Sequence, residues 1–100
     1  MSTLEQALKR SKKLFVDGIF FEQLRNLVQI VTDSKNSRCA EDLVVYYTRG
    51  LSNILTELGI QTEIVDNPIK NSPPFLIGSR MESPESKTIL LYGHGDTVPL

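Results

Sequence analysis

His94 and Asp96 stand two positions apart near the end of this 100-residue sequence, with Gly93 before them and Gly95 between them. The spacing suits one kind of chemistry. In an extended segment, residues two apart project to the same side of the backbone, so an imidazole and a carboxylate can meet. Neutral imidazole is a good zinc ligand through one ring nitrogen. A carboxylate that accepts the proton of the other nitrogen fixes the tautomer and makes the ring a better donor. The two glycines leave space for a metal and a substrate and permit unusual backbone angles. Pro99 stiffens the exit and prevents a strand ladder from continuing normally. His-x-Asp is a short motif, and a plainer reading stands beside it. The chain's single histidine is then a hydrogen-bonded core side chain, and Asp96 merely a helix cap.

The elements needed to position this pair are legible upstream. Thr88-Ile89-Leu90-Leu91-Tyr92 is a continuous apolar run, which predicts a central strand over 88–92 covered on both faces. Functional groups in α/β sheets gather at the C-terminal ends of such strands, where His94 and Asp96 fall. Two weaker strands precede it. Ile60, Thr62 and Ile64 alternate with Gln61, Glu63 and Val65, and Phe75-Leu76-Ile77-Gly78 forms a second short run. Asp66-Asn67-Pro68, Asn71-Ser72-Pro73-Pro74 and the polar stretch 81–86 punctuate them.

Three helices come first. Leu4, Ala7, Leu8, Ser11, Leu14 and Phe15 share one face of a helix over residues 3–16, with Thr3 and Gln6 at capping-box spacing and Asp17-Gly18 as the break. Phe21, Leu24, Leu27, Val28 and Val31 make the stripe of a second helix over 20–31. A third, over 40–58, carries Glu41 and Asp42 in its first turn and a stripe of Val44, Tyr47, Leu51, Ile54, Leu55 and Leu58, with Gly59 as its stop. Tyr46 and Tyr47 point in different directions on a helix, which predicts one core and one boundary tyrosine. The polar run 32–37 reads as a solvated loop, with substrate contact as the sharper alternative. The fold class is therefore α/β, N-terminal helices followed by strands of a mixed sheet.

Composition bounds the partners. The chain is 40% hydrophobic and 23% charged, as in ordinary globular proteins, and its net charge of -1 gives no reason to expect nucleic acid or an anionic membrane. Lys9, Arg10, Lys12 and Lys13 form a basic cluster, read first as a solvated helix face and second as a contact for an acidic partner. Cys39 is the single cysteine, which excludes an intramolecular disulfide and reads as a small buried or helix-start residue rather than a nucleophile or a ligand. No stretch has the length of a membrane span and no signal peptide is apparent, so the expected location is cytoplasmic.

Leu90-Leu91-Tyr92-Gly93-His94-Gly95-Asp96-Thr97-Val98-Pro99 resembles the first metal-site motif of the M20 family of metallopeptidases, which includes carboxypeptidases, dipeptidases and aminoacylase-type deacylases. The order of Leu55-Thr56-Glu57-Leu58-Gly59-Ile60, Thr62-Glu63-Ile64-Val65 and Phe75-Leu76-Ile77-Gly78-Ser79-Arg80 is similar too, so the resemblance spans about 20–100, with its specificity in the last ten residues. It implies that His94 binds a metal, usually zinc, and that Asp96 is the catalytic aspartate orienting it. It also implies a zinc-peptidase-like (phosphorylase/hydrolase-like) catalytic domain with a two-metal centre, a peptide or N-acyl amino acid as substrate, and a homodimer formed through a separate domain. The family's other metal ligands and its general-base glutamate lie downstream of this motif. Residues 1–100 are therefore expected to be the N-terminal part of one catalytic domain, cut short and inactive alone. Two alternatives remain: a non-catalytic α/β interaction domain, and a degenerate family member that has lost its other ligands.

Overall fold

A computed structural model of the chain describes residues 2–98. Helix α1 (Thr3–Val16) begins on a reciprocal capping box. The Glu5 N–H donates to Ser2 Oγ at 3.1 Å and the Ser2 N–H donates to Glu5 Oε2 at 2.7 Å. The box is thus one residue earlier than the Thr3–Gln6 spacing predicts, because Ser2 supplies the extended N-cap backbone. Helix α2 (Ile19–Val28) follows after Gly18, whose φ of 80° makes the tight reversal. Phe15 and Phe20 meet across the turn with ring centroids 6.3 Å apart. Helix α2 ends three residues before the expected 31. The Ile30 N–H bonds the Leu27 carbonyl in a tightened last turn, and the backbone beyond it is diverted to pair with Thr97.

The third expected helix is present but interrupted. Helix α3 (Cys39–Val45) runs through a π-helical turn, Tyr46–Leu51, into α4 (Ser52–Glu57). The Ser52 N–H reaches the Tyr47 carbonyl, the i→i−5 bond that defines such a turn. Up to the first residue of the π turn, the helix faces Gly95 with Leu43 and Tyr46. After it, Ser52 and Leu55 face the sheet, where the Thr62 hydroxyl bonds Ser52 Oγ and Leu55 Cδ1 approaches Gly78. Gly59 ends α4 in the left-handed region at φ 74°. Its N–H bonds the Thr56 carbonyl and the Ile60 N–H bonds the Leu55 carbonyl, a Schellman motif at the stop the sequence predicts.

Strands β1 (Gln61–Val65) and β2 (Phe75–Ser79) form an antiparallel pair with Gln61 opposite Ser79 and Val65 opposite Phe75. Asn67 organises the connection: its side-chain carbonyl accepts from the Ile69 N–H and its amide donates to the Pro73 carbonyl. The chain is accordingly α/β, helices followed by strands.

The mixed sheet with a buried third strand is the expectation that fails. Among the described residues the sheet has two strands, both antiparallel. Residues 88–92 pair with nothing, and Ile89, Leu90, Leu91 and Tyr92 are 82–93% exposed. A continuous apolar run signals that a segment is suited to burial on both faces, but it does not supply the neighbouring strands or the covering layers. The buried core is correspondingly small, with Cys39, Leu43 and the polar Thr32 at its centre. Accessible surface is 8872 Å², where a folded chain of this mass averages about 5,700 Å².

Candidate functional site

A short, isolated contact positions the His-x-Asp segment. Thr97 forms a parallel bridge with Asp33, in the loop after α2. The Thr97 N–H donates to the Thr32 carbonyl and the Ser34 N–H donates to the Thr97 carbonyl, both at 2.8 Å. A third bond comes from a side chain: the Thr32 hydroxyl donates to the Gly95 carbonyl at 2.7 Å. Thr32 is only 4% exposed. On its other side, Gly95 lies against the helix. A Cβ at this position would sit 2.9 Å from Tyr46 Cε1 and 3.3 Å from Leu43 Cδ2, so the close approach requires glycine.

Gly95 is thereby held between His94 and Asp96, and the two side chains meet. His94 Nδ1 lies 3.2 Å from Asp96 Oδ1 and 3.0 Å from the Asp96 carbonyl oxygen. A carboxylate and a carbonyl are acceptors only, so the geometry assigns the proton to Nδ1 and leaves the lone pair on Nε2. The imidazole is 73% exposed, which keeps Nε2 accessible to a ligand. The spacing argument from the sequence is met in this respect. The core-histidine alternative is not, since the ring lies at the surface; nor does Asp96 cap a helix. Pro99, expected to stiffen the exit, lies outside the described residues.

The charge of Asp96 reaches two neighbours. Burial pushes the Cys39 thiol up from its ordinary 9.0, and Asp96, Asp33 and Asp42 add to the effect. Burial likewise raises Tyr47, again with Asp96 contributing. Cys39 is therefore a neutral buried thiol at neutral pH, the small buried residue the sequence predicts. Tyr46 and Tyr47 are both half-buried rather than divided between core and boundary. The Tyr46 ring backs Gly95, while the Tyr47 hydroxyl donates to the Pro74 carbonyl at 3.2 Å.

Sequence reasoning missed Thr32. It lies in a polar run read as solvated, and no periodicity marks it as the partner of a residue 63 positions away. The basic cluster on α1 is exposed, with Lys13 paired to Asp17. A cleft of about 840 Å³ opens among Gly59, Gln61 and residues 79–89. His94 and Asp96 do not line it, and Arg80 there is occupied by Glu82 and the Leu58 carbonyl. Its residues offer no convergent chemical set, so the site reading stays with His94 and Asp96.

A zinc centre needs more donors than this pair supplies. Structural zinc takes four ligands and catalytic zinc about three plus water. Among the described residues no three His, Cys, Asp or Glu side chains gather to hold an ion. The pair fits one ligand and its orienting partner, not a complete centre. Among the same residues, no helix is long and apolar enough to cross a membrane. Compared with known proteins, the chain matches no family model, no curated protein and no solved structure.

Proposed function

We propose that this chain is the N-terminal part of the catalytic domain of a metal-dependent amide or peptide hydrolase of the M20 type, in which His94 contributes one zinc ligand and Asp96 orients it. The observation that carries the reading is the His94–Asp96 contact, with Nδ1 directed to Asp96 and Nε2 left to an incoming ligand. A metal-bound histidine commonly uses its second nitrogen in this way, and loss of such a partner costs roughly 10- to 100-fold in affinity or activity. A metal held by His94 and the ligands of the rest of the enzyme would supply Lewis-acid polarisation of the scissile carbonyl and a more acidic bound water. Within this chain, Asp96 accepts the Nδ1 proton and holds the ring, and the Gly95 backbone sets the spacing of the two. The remaining ligands, the general base, a dimerisation domain and the peptide or N-acyl amino acid specificity belong to the rest of the proposed enzyme, with a cytoplasmic location.

The test is to produce the chain together with the reading frame following residue 100, and to measure zinc content and hydrolysis of dipeptides and N-acyl amino acids. Activity that falls to background in His94→Ala, and by about 10- to 100-fold in Asp96→Asn, is the expected result. Residues 1–100 alone are expected to bind no zinc tightly; calorimetric binding lost in His94→Ala would overturn the shared-site reading.

The exposed apolar run 89–92 also favours a second reading, an α/β interaction domain in which a partner covers that run. A stop codon directly after Leu100 would select it. A longer frame with neither zinc nor hydrolysis would instead identify a degenerate member of the family.

A further inference from the structure

We infer that Thr32 is a positioning residue for the His94–Asp96 pair, acting through the Gly95 backbone. The inference deepens the proposed function and rests on its reading of His94 as ligand and Asp96 as orienting partner. Three observations converge on Gly95. Its carbonyl accepts from the buried Thr32 hydroxyl at 2.7 Å, its α-carbon is pressed against Tyr46 and Leu43, and two further backbone bonds tie Thr97 to the same loop. No strand ladder holds this segment among the described residues, so its conformation depends on these few contacts.

The consequence is local. His94 and Asp96 are the two residues bonded to Gly95, and their side chains meet only while the peptide planes on either side of it keep their orientation. The Thr32 hydroxyl grips one of those planes through its carbonyl oxygen, and the Tyr46 ring blocks the other side. Releasing the carbonyl lets the plane rotate toward water. The Asp96 carboxylate and carbonyl oxygens then both leave Nδ1, and the exposed imidazole loses its reason to hold the proton there. Thr32 touches neither metal nor substrate in this scheme; it sets which ring nitrogen carries the lone pair.

The chain has a single histidine, so its ring nitrogens can be followed without ambiguity by nitrogen NMR of the uniformly labelled protein at a pH where the ring is neutral. Wild type is expected to hold mostly the Nδ1–H tautomer. Thr32→Val keeps the shape and removes the hydroxyl, and is expected to lower the Nδ1–H to Nε2–H ratio by roughly two- to ten-fold, the worth of one net hydrogen bond. Thr32→Ser restores the hydroxyl and is expected to restore the ratio. A ratio unchanged in Thr32→Val, or lowered equally in Thr32→Ser, overturns the inference. Should Thr32→Val lose the amide dispersion of β1 and β2, Tyr46→Leu removes the opposing wall instead. A lowered ratio there supports the clamp, and an unchanged one overturns it. The readout needs neither metal nor turnover. A longer protein without hydrolase activity would therefore sink the proposed function alone, while an unmoved tautomer would sink the positioning role alone.

Discussion

Cys39 and Tyr47 report on the residue scale because each is held neutral by the same surroundings. Burial is the main cause for both, and Asp96 is the largest charge acting on each. Ionising either group costs more in the folded chain than in the unfolded one. Each therefore contributes stability that is complete below its unfolded value and is lost as pH rises through the raised folded value. The loss begins near 9.0 for the thiol and near 10.0 for the phenol. We expect Tm to fall from about the thiol range upward, and Cys39→Ala to remove the first part of that fall when Tm is followed against pH. Asp96→Asn withdraws one of the charges opposing the thiolate, so thiolate absorbance is expected to rise at lower pH than in wild type. A thiol titration unmoved by Asp96→Asn would mean that the Asp96 charge does not reach the Cys39 thiol. The pair His94 and Asp96 was legible in the sequence because alternation by two is a local rule. Thr32 was not, because its partnership with Gly95 is made by the way the chain returns, across 63 positions.

Each helix owes its ends to a few named residues, and those ends are where substitutions act on elements. Gly59 has φ 74°, and a Cβ there would come no closer than 3.8 Å to anything but its own chain neighbours, the nearest contact being the Arg80 guanidinium. Space is available, so the cost of Gly59→Ala is conformational, about 1–2 kcal/mol for a left-handed position, and is expected as a lowered Tm; an unchanged Tm would contradict the Schellman geometry. At the other end, the Ser2 backbone and hydroxyl bonds hold the Glu5 carboxyl below its ordinary 4.5. A lowered value contributes stability above the unfolded range and loses it as pH falls through the folded one. Acidification below about that range is expected to fray α1, seen as loss of helical circular dichroism, with a smaller acid-induced change in Glu5→Gln because its cap is no longer titratable. Helix periodicity, the stop at Gly59 and the strand character of β1 and β2 were all readable because each is written within one element. The π turn at Tyr46–Leu51 was not: its stripe fits an unbroken helix on paper, and the displacement serves two different neighbours, Gly95 before the turn and β1 after it. The misread strand is of a different kind. Residues 88–92 have the composition of a buried strand, but their environment depends on neighbours that a single segment cannot encode.

At the scale of the whole molecule, the radius of gyration is 16.0 Å, where a folded chain of 100 residues averages about 13 Å. Extents of 50 × 35 × 20 Å accompany it. Exposed apolar side chains include those of the α1–α2 faces, Leu4, Leu8, Phe15 and Phe21, and those of the run 89–92. These are the surfaces that the rest of a catalytic domain would cover under the proposed function, and the two can be separated from ordinary surface by charge substitution. Ile89→Lys with Leu91→Lys replaces side chains that are 82% and 87% exposed. Substitutions at such positions change stability by about 0.5 kcal/mol or less, so Tm of the 100-residue chain is expected to stay level while its binding of an apolar dye falls. Under the proposed function, the same run would become a central strand in the longer protein. An unpaired lysine buried there costs roughly 3 kcal/mol or more, and loss of soluble protein or of activity is expected. A longer protein that tolerates both lysines with full stability would show that 88–92 stays exposed, and would move the choice from the hydrolase to the interaction domain. A 100-residue chain destabilised by them would mean that the run is already packed, contrary to the exposure that defines it.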